Sequence, residues 1–233
     1  MEVLNNIPIQ LNLEAVLQRM HVSNKNRSII NEIQELIEIA SPIAKPKAIY
    51  EVSYVENKSE DSVDIGSVRF TSRVLRINLN QVGRVFPYVI TCGTELDEID
   101  FPSTEILKSY YLDQIKETVL ILARGYLEDH LKKNYELGQI SRMAPGSGSA
   151  EDWPIEQQEG LFSIFGGRVK IEDLIGVKLT DRLIMIPIKS IPGIFFPTEI
   201  RFEACQLCPR EQCVGRRASY DKELVKKYKE AVS

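Results

Sequence analysis

The chain predicts an α+β fold, with a central, mainly antiparallel sheet flanked by long helices. Three observations predict it. Two amphipathic stretches open the sequence, and a third, much longer one occupies its middle. Strand-like runs fill the intervals with no long helix between them, so the strands pair without the crossovers a parallel sheet needs. At 233 residues, 43% hydrophobic and 27% charged, the chain has the length and composition to bury its own core.

The first helix is expected near Asn12 to His21, with Leu13, Val16, Leu17 and Met20 on one stripe. The second is expected from Asn26 to Ala40, with Ile29, Ile30, Ile33, Leu36, Ile37 and Ala40 on another. Ser41-Pro42 ends it, because the residue before proline avoids the helical region. Strands follow at 48–55, 67–71, 73–79 and 85–92. In the third, Val74, Arg76 and Asn78 alternate with Leu75, Ile77 and Leu79. The fourth is the most apolar and ends at Gly93. A long helix is predicted from Thr104 to Lys133, opened by Pro102-Ser103-Thr104-Glu105. Ile106, Tyr110, Ile115, Val119, Leu122 and Tyr126 keep its period, and Gly125, which costs about 1 kcal/mol against alanine, suggests a close contact.

A polar loop from Arg142 to Pro154 comes next. Pro154 suits the first position of a helix over 155–165, which stops at Gly166-Gly167. A turn or short helix at 171–174, strands at 179–186 and 191–196, and a third strand at 198–204 complete the body. A Cys-rich loop and a charged helix over 220–231 end the chain. The expected organisation is an N-terminal helical segment (1–45), an α+β domain (46–204), and the Cys-rich loop with its helix (205–233).

A net charge of −4 and a pI near 5.5 argue against a nucleic-acid partner. No basic stretch precedes an apolar one at the start, and no run approaches the roughly 18 apolar residues of a membrane span, so the expectation is a cytoplasmic protein away from membranes. Dinucleotide-type Gly-x-Gly-x-x-Gly, P-loop and nucleophile-elbow patterns are all missing.

Two segments carry candidate chemistry. In the first, Pro145-Gly146 makes a sharp turn, and Gly146 and Gly148 are free to adopt positive φ, which exposes backbone N–H and C=O groups able to read a planar heterocycle. Arg142 is a fixed-charge fork suited to a carboxylate. From these residues alone, a plain connecting loop with a surface arginine stands as the alternative. In the second, Cys205-x2-Cys208-x4-Cys213 offers soft ligands for an iron–sulfur cluster or zinc, with Cys92 or an exchangeable group as fourth ligand. Arg210, Arg216 and Arg217 flank the thiols and would lower their pKa values. A redox disulfide between Cys205 and Cys208, or three unligated thiols, are the alternatives.

Arg142-x-Ala144-Pro145-Gly146 resembles the Arg-x-Ala-Pro-Gly signature of the activation domain of cobalamin-dependent methionine synthase. Trp153-Pro154 through Gly160-Leu161-Phe162 is similar to the helix after that loop in stand-alone members. Ile175-Gly-Val-Lys-Leu-Thr180, Met185-Ile-Pro187 and Lys189-Ser-Ile-Pro-Gly193 match the family's later steps, and order and spacing agree over about residues 85–217.

The resemblance implies an activation-domain-like fold and a stand-alone reactivation subunit in methionine biosynthesis. Such a subunit binds S-adenosylmethionine for reductive re-methylation of cob(II)alamin on a partner methionine synthase or related corrinoid methyltransferase, with a reductant protein as a further partner. It is one part of a methyltransferase system. Arg142 would hold the ligand's carboxylate. Ala144, Pro145 and Gly146, with Ser147 and Gly148 completing the loop, would line the adenosyl site. The expectation for the cysteines is an iron–sulfur cluster that passes the electron. A non-catalytic docking module, or an iron–sulfur electron carrier for a corrinoid protein, is the alternative function. Ser147 stands where members often have an aromatic residue, residues 149–151 are extra, and Ile121 stands where many members place a glutamate facing the ligand.

Other residues read as structural. His21 and His130 sit on amphipathic helices, Asp97, Glu98 and Asp100 suit a helix start, Tyr110 and Tyr111 suit the core, and the C-terminal Lys/Glu run suits a solvated face.

Overall fold

The structure, a computed structural model, describes residues 1–20, 26–149, 151–213 and 215–229. His21 and the last residues of the expected C-terminal helix lie outside the described residues. A short strand β1 (Glu2–Leu4) precedes helices α1 (Leu13–Met20) and α2 (Arg27–Ala40). Asn26 caps α2 by accepting the Ile29 N–H. Strands β2 (Lys47–Tyr50), β3 (Ser53–Lys58), β4 (Ser62–Ile65) and β5 (Val68–Thr71) lead into helix α3 (Arg73–Asn78) and strand β6 (Arg84–Thr91). After a 3-10 turn at 95–98 comes helix α4 (Ile106–Asn134), then β7 (Ile140–Met143), α5 (Gln158–Ile164) and α6 (Arg168–Ile175). The two-residue strands β8 (Lys178–Leu179) and β9 (Met185–Ile186), the long β10 (Ser190–Pro197) and α7 (Lys222–Lys229) complete the fold.

Every strand pairing is antiparallel. β6 is the hub of an eight-stranded sheet. One of its edges pairs with β2 and β3, and the other with β10, which in turn carries β7. The two-residue period of β6 supplies separate cores. Phe86, Tyr88 and Ile90 face α1, α2 and α4, whose buried side chains include Val16, Ile33, Ile37, Ile115, Val119 and Leu127. Val89 faces the other way, onto Phe162, Phe165, Ile171 and Ile175 of the α5–α6 region. Val85 joins a third cluster with Phe70, Leu75, Trp153, Phe196, Phe202 and Tyr228.

Several expectations are corrected. Residues 73–79 form α3, not a strand: Ser72 caps it by accepting the Leu75 N–H at 3.0 Å, and the helix buries Val74, Leu75 and Leu79 together. The run 179–186 is a hairpin, because Thr180–Ile184 forms a turn in which Leu183 takes φ 61°. Residues 198–204 add no strand; they run irregularly into a 3-10 turn at Ala204–Gln206. The helix expected from Thr104 begins at Ile106, and Asp97 ion-pairs with Lys116 at 2.6 Å in place of capping it. A Cβ on Gly125 would meet nothing within 4 Å, so no close contact explains that glycine. Tyr111 is buried, whereas Tyr110 is exposed. β1, β4 and β7 carry no separate expectation from the sequence.

Candidate functional site

The site arises from unequal strand lengths. β6 accompanies β10 from Ser190 to Phe195, whereas β7 begins to pair only at Ile194. One edge of β10 is therefore without a strand partner over Ser190–Gly193. The chain leaving β7 after Met143 turns sharply beside that edge and encloses a cavity of about 310 Å³. The volume lies at the small end of the range for small-molecule sites.

The loop that closes the cavity is tightly held. Gly146 donates its N–H to the Trp153 carbonyl at 2.8 Å, and Ser147 to the Ala144 carbonyl at 3.1 Å. Gly146 and Gly148 take φ 74° and 90°, a conformation costly for any residue with a Cβ. The Ser149 N–H bonds a carboxylate oxygen of the buried Asp152 at 3.0 Å. Trp153 is fully buried edge-on to Phe70 and donates its indole N–H to Gln157, whose amide also bonds Thr71. The loop is thereby fastened to β5 and α5.

Of the residues expected to form a ligand site, Arg142, Ala144, Pro145, Gly146 and Ser147 all line the cavity. Gly148 does not line it, because it lies against Asp152 and Ala204. Ile121 is also absent from the lining; Arg124, on the same helix, is present. Met143, Ile155, Leu183, Met185, Ile191 and Pro192 give the apolar walls.

The electrostatics are one-sided. Arg124 from α4, Arg142 from β7 and Arg217 after the Cys-rich loop all reach the cavity, and no aspartate or glutamate lines it among the described residues. Glu203 stands behind the lining, 3.0 Å from Arg217, 3.2 Å from Arg201 and 3.9 Å from Arg142. Arg124 has no carboxylate within 4.0 Å among the described residues. Burial and the nearby Arg142 pull its pKa down to about 10, which still leaves it charged at neutral pH.

Two polar atoms in the lining lack protein partners among the described residues. One is the hydroxyl of the fully buried Tyr88, whose pKa burial pushes up; the other is Oε1 of Gln158. Tyr88 reaches across β10 only because residue 193 is glycine. A Cβ there would fall 2.6 Å from the hydroxyl and 2.7 Å from the Met143 carbonyl. Buried polar atoms without partners are rare, and a cavity lined by two of them suits a ligand that completes their hydrogen bonds.

The cysteines are free thiols, and no group of three or more His, Cys, Asp or Glu among the described residues is placed to hold a metal. Cys205 and Cys208 are half-buried and Cys213 is exposed. Cys92 packs in the α2–α4 core, away from Ala204 and Leu207 of the Cys-rich loop, and burial pushes its thiol up to about 12. Arg216 serves carbonyls in place of thiolates: it donates to those of Cys205 and Cys208 at 3.1 Å each, and to those of Ala218 and Arg210. It thus shapes the loop that brings Arg217 to the cavity.

Sequence reasoning missed Tyr88, Arg124 and Gln158 at this site and gave Arg217 a different role. No local pattern marks them, because only the tertiary fold brings 88, 124, 158 and 217 together.

No protein-family model matches the chain, and no curated protein matches it in sequence. Among solved structures, it is similar to the MetH reactivation domain bound to AdoHcy, with a TM-score of 0.56 and 14% identity. The match covers 88% of this chain and 81% of that one. No helix among the described residues is long and apolar enough to cross a membrane. With its antiparallel sheet, long central helix and loop-closed cavity, the chain has the fold of the methionine synthase activation domain.

Proposed function

We propose that the protein is a reactivation subunit for a cobalamin-dependent methionine synthase or related corrinoid methyltransferase, and that its cavity binds S-adenosylmethionine. The observation that carries this reading is the placement of Arg142 and the Ala144–Ser147 backbone around one cavity, beside the unpaired edge of β10. A guanidinium suits the ligand's carboxylate. The open strand edge and the loop's backbone suit the adenine edge. The apolar walls suit the ribose–thioalkyl span, and Tyr88 and Gln158 offer the unfilled polar contacts.

Bound there, S-adenosylmethionine would supply the methyl group. One electron from a reductant protein would balance its transfer to the partner's cob(II)alamin, leaving S-adenosylhomocysteine. This chain's own work is positioning, which removes translational freedom before reaction. The hairpin that contributes Leu183 and Met185 also exposes Ile184 and Ile186, and Ile188 just after it is exposed too, an apolar rim of the kind a docking corrinoid protein would cover. Among the described residues no group of cysteines is placed to hold an iron–sulfur or zinc centre, and the positioning role needs none.

Calorimetry with S-adenosylmethionine tests the reading. Saturable binding is expected, weakened about tenfold to hundredfold by Arg142→Ala, the range for a charge-assisted contact. A wild-type protein that binds neither S-adenosylmethionine nor S-adenosylhomocysteine overturns it.

A further inference from the structure

The cavity's charge has a consequence for which form of the ligand it holds. S-adenosylmethionine and S-adenosylhomocysteine share a carboxylate, an ammonium and an adenosyl group. They differ by one methyl and by the positive charge of the sulfonium. Among the described residues the lining offers that charge three guanidiniums and no carboxylate. Glu203 is shared by Arg142, Arg201 and Arg217 behind the wall, whereas Arg124 has no carboxylate partner among the described residues. A sphere of about 310 Å³ is about 8 Å across, comparable to the Debye length at physiological salt. Arg124 lines the cavity, so a sulfonium held there meets a guanidinium charge that salt screens only in part. The long helix α4 turns Arg124 to the lining.

Resting on the reading that the cavity holds an S-adenosyl amino acid, we propose that it binds the demethylated thioether form more tightly than the sulfonium form, with Arg124 setting the preference. The penalty on the sulfonium is relieved when the methyl leaves, because the charge leaves with it. The site therefore favours the product of methyl donation over the donor, and accumulated S-adenosylhomocysteine would occupy it and block further cycles.

Titration of the full chain with each compound tests this. The wild type is expected to bind S-adenosylhomocysteine about tenfold or more tightly than S-adenosylmethionine. Raising the ionic strength from about 0.01 M to about 1 M should narrow the gap, as screening requires. Arg124→Gln should bring the two affinities to within about threefold, chiefly by strengthening S-adenosylmethionine binding, while Arg124→Lys keeps the preference. Equal affinities in the wild type, a preference for the sulfonium, or a preference unchanged in Arg124→Gln or at high salt overturns the proposal. If S-adenosylmethionine binds best and Arg142→Ala weakens that binding, this selectivity is wrong but the proposed function stands. If neither compound binds, both fall.

Discussion

Tyr88 carries an energetic conflict that a ligand can resolve. Its ring is fully buried and stacks on Phe195 at 4.5 Å, while its hydroxyl has no hydrogen-bond partner among the described residues. An unsatisfied buried hydroxyl costs about 1–3 kcal/mol. Tyr88→Phe should therefore leave the ligand-free protein as stable as the wild type or more stable by about 1 kcal/mol, read from chemical denaturation. The same change should weaken nucleoside binding severalfold. A clear loss of stability would mean the hydroxyl already has a partner and plays no part in the site. Arg142 could be singled out at this scale because Arg142-x-Ala144-Pro145-Gly146 resembles a family signature; from the residues alone a plain connecting loop stood beside that reading. Tyr88 could not, because a tyrosine inside an apolar strand looks like any core residue until Gly193 is seen to make room for its hydroxyl.

At the scale of elements, α3 matters out of proportion to its length. Ser72 accepts the Leu75 N–H as the helix cap and donates its own hydroxyl proton to the Asp152 carbonyl in the cavity loop. One side chain thus starts a helix and holds the segment that shapes Gly146 and Ser147. Ser72→Ala should cost about 1–2 kcal/mol, more than a surface cap usually does, because it also removes the hydrogen bond to the Asp152 carbonyl. Thermal denaturation would measure this, and a loss of only a few tenths of a kcal/mol would show that the loop stands without it. The periodic elements α2 and β6 were legible in the sequence, and α4 was legible in extent but not in face: Ile106, Tyr110 and Tyr126 of its expected stripe are exposed, while Tyr111, Leu112, Leu127 and Leu131 are buried with Ile115 and Val119. The short ones were not. Six residues of α3 fit a two-residue or a 3.6-residue period equally well, and only the cap and the core beneath decide between them. β7 was hidden because Ser141 and Arg142 interrupt its apolar pattern, although Ile140 and Met143 are buried.

For the whole molecule, β6 ties the interior together. Its successive residues enter all three cores, so none can loosen without disturbing the same strand. The first 45 residues and the stretch after 204 share those cores through Val16, Ile33, Leu207 and Tyr228. Thermal unfolding followed by near- and far-ultraviolet circular dichroism should therefore give coincident transitions. Two well-separated steps would show that a terminal segment unfolds independently. The fold class was legible because strand-like runs without intervening helices leave antiparallel pairing as the economical solution. The convergence of residues 88, 124, 142, 158 and 217 was not, since it depends on how far β7 extends along β10. That short neighbour has one more effect. A bare strand edge normally invites another chain to add on and start aggregation. Here the bare stretch lies inside a concavity behind the Pro145 turn, and Pro192 removes one of its donors. A foreign strand finds neither room nor a full ladder, so the protein keeps this edge vacant for something as small as a nucleoside without becoming sticky to its own copies.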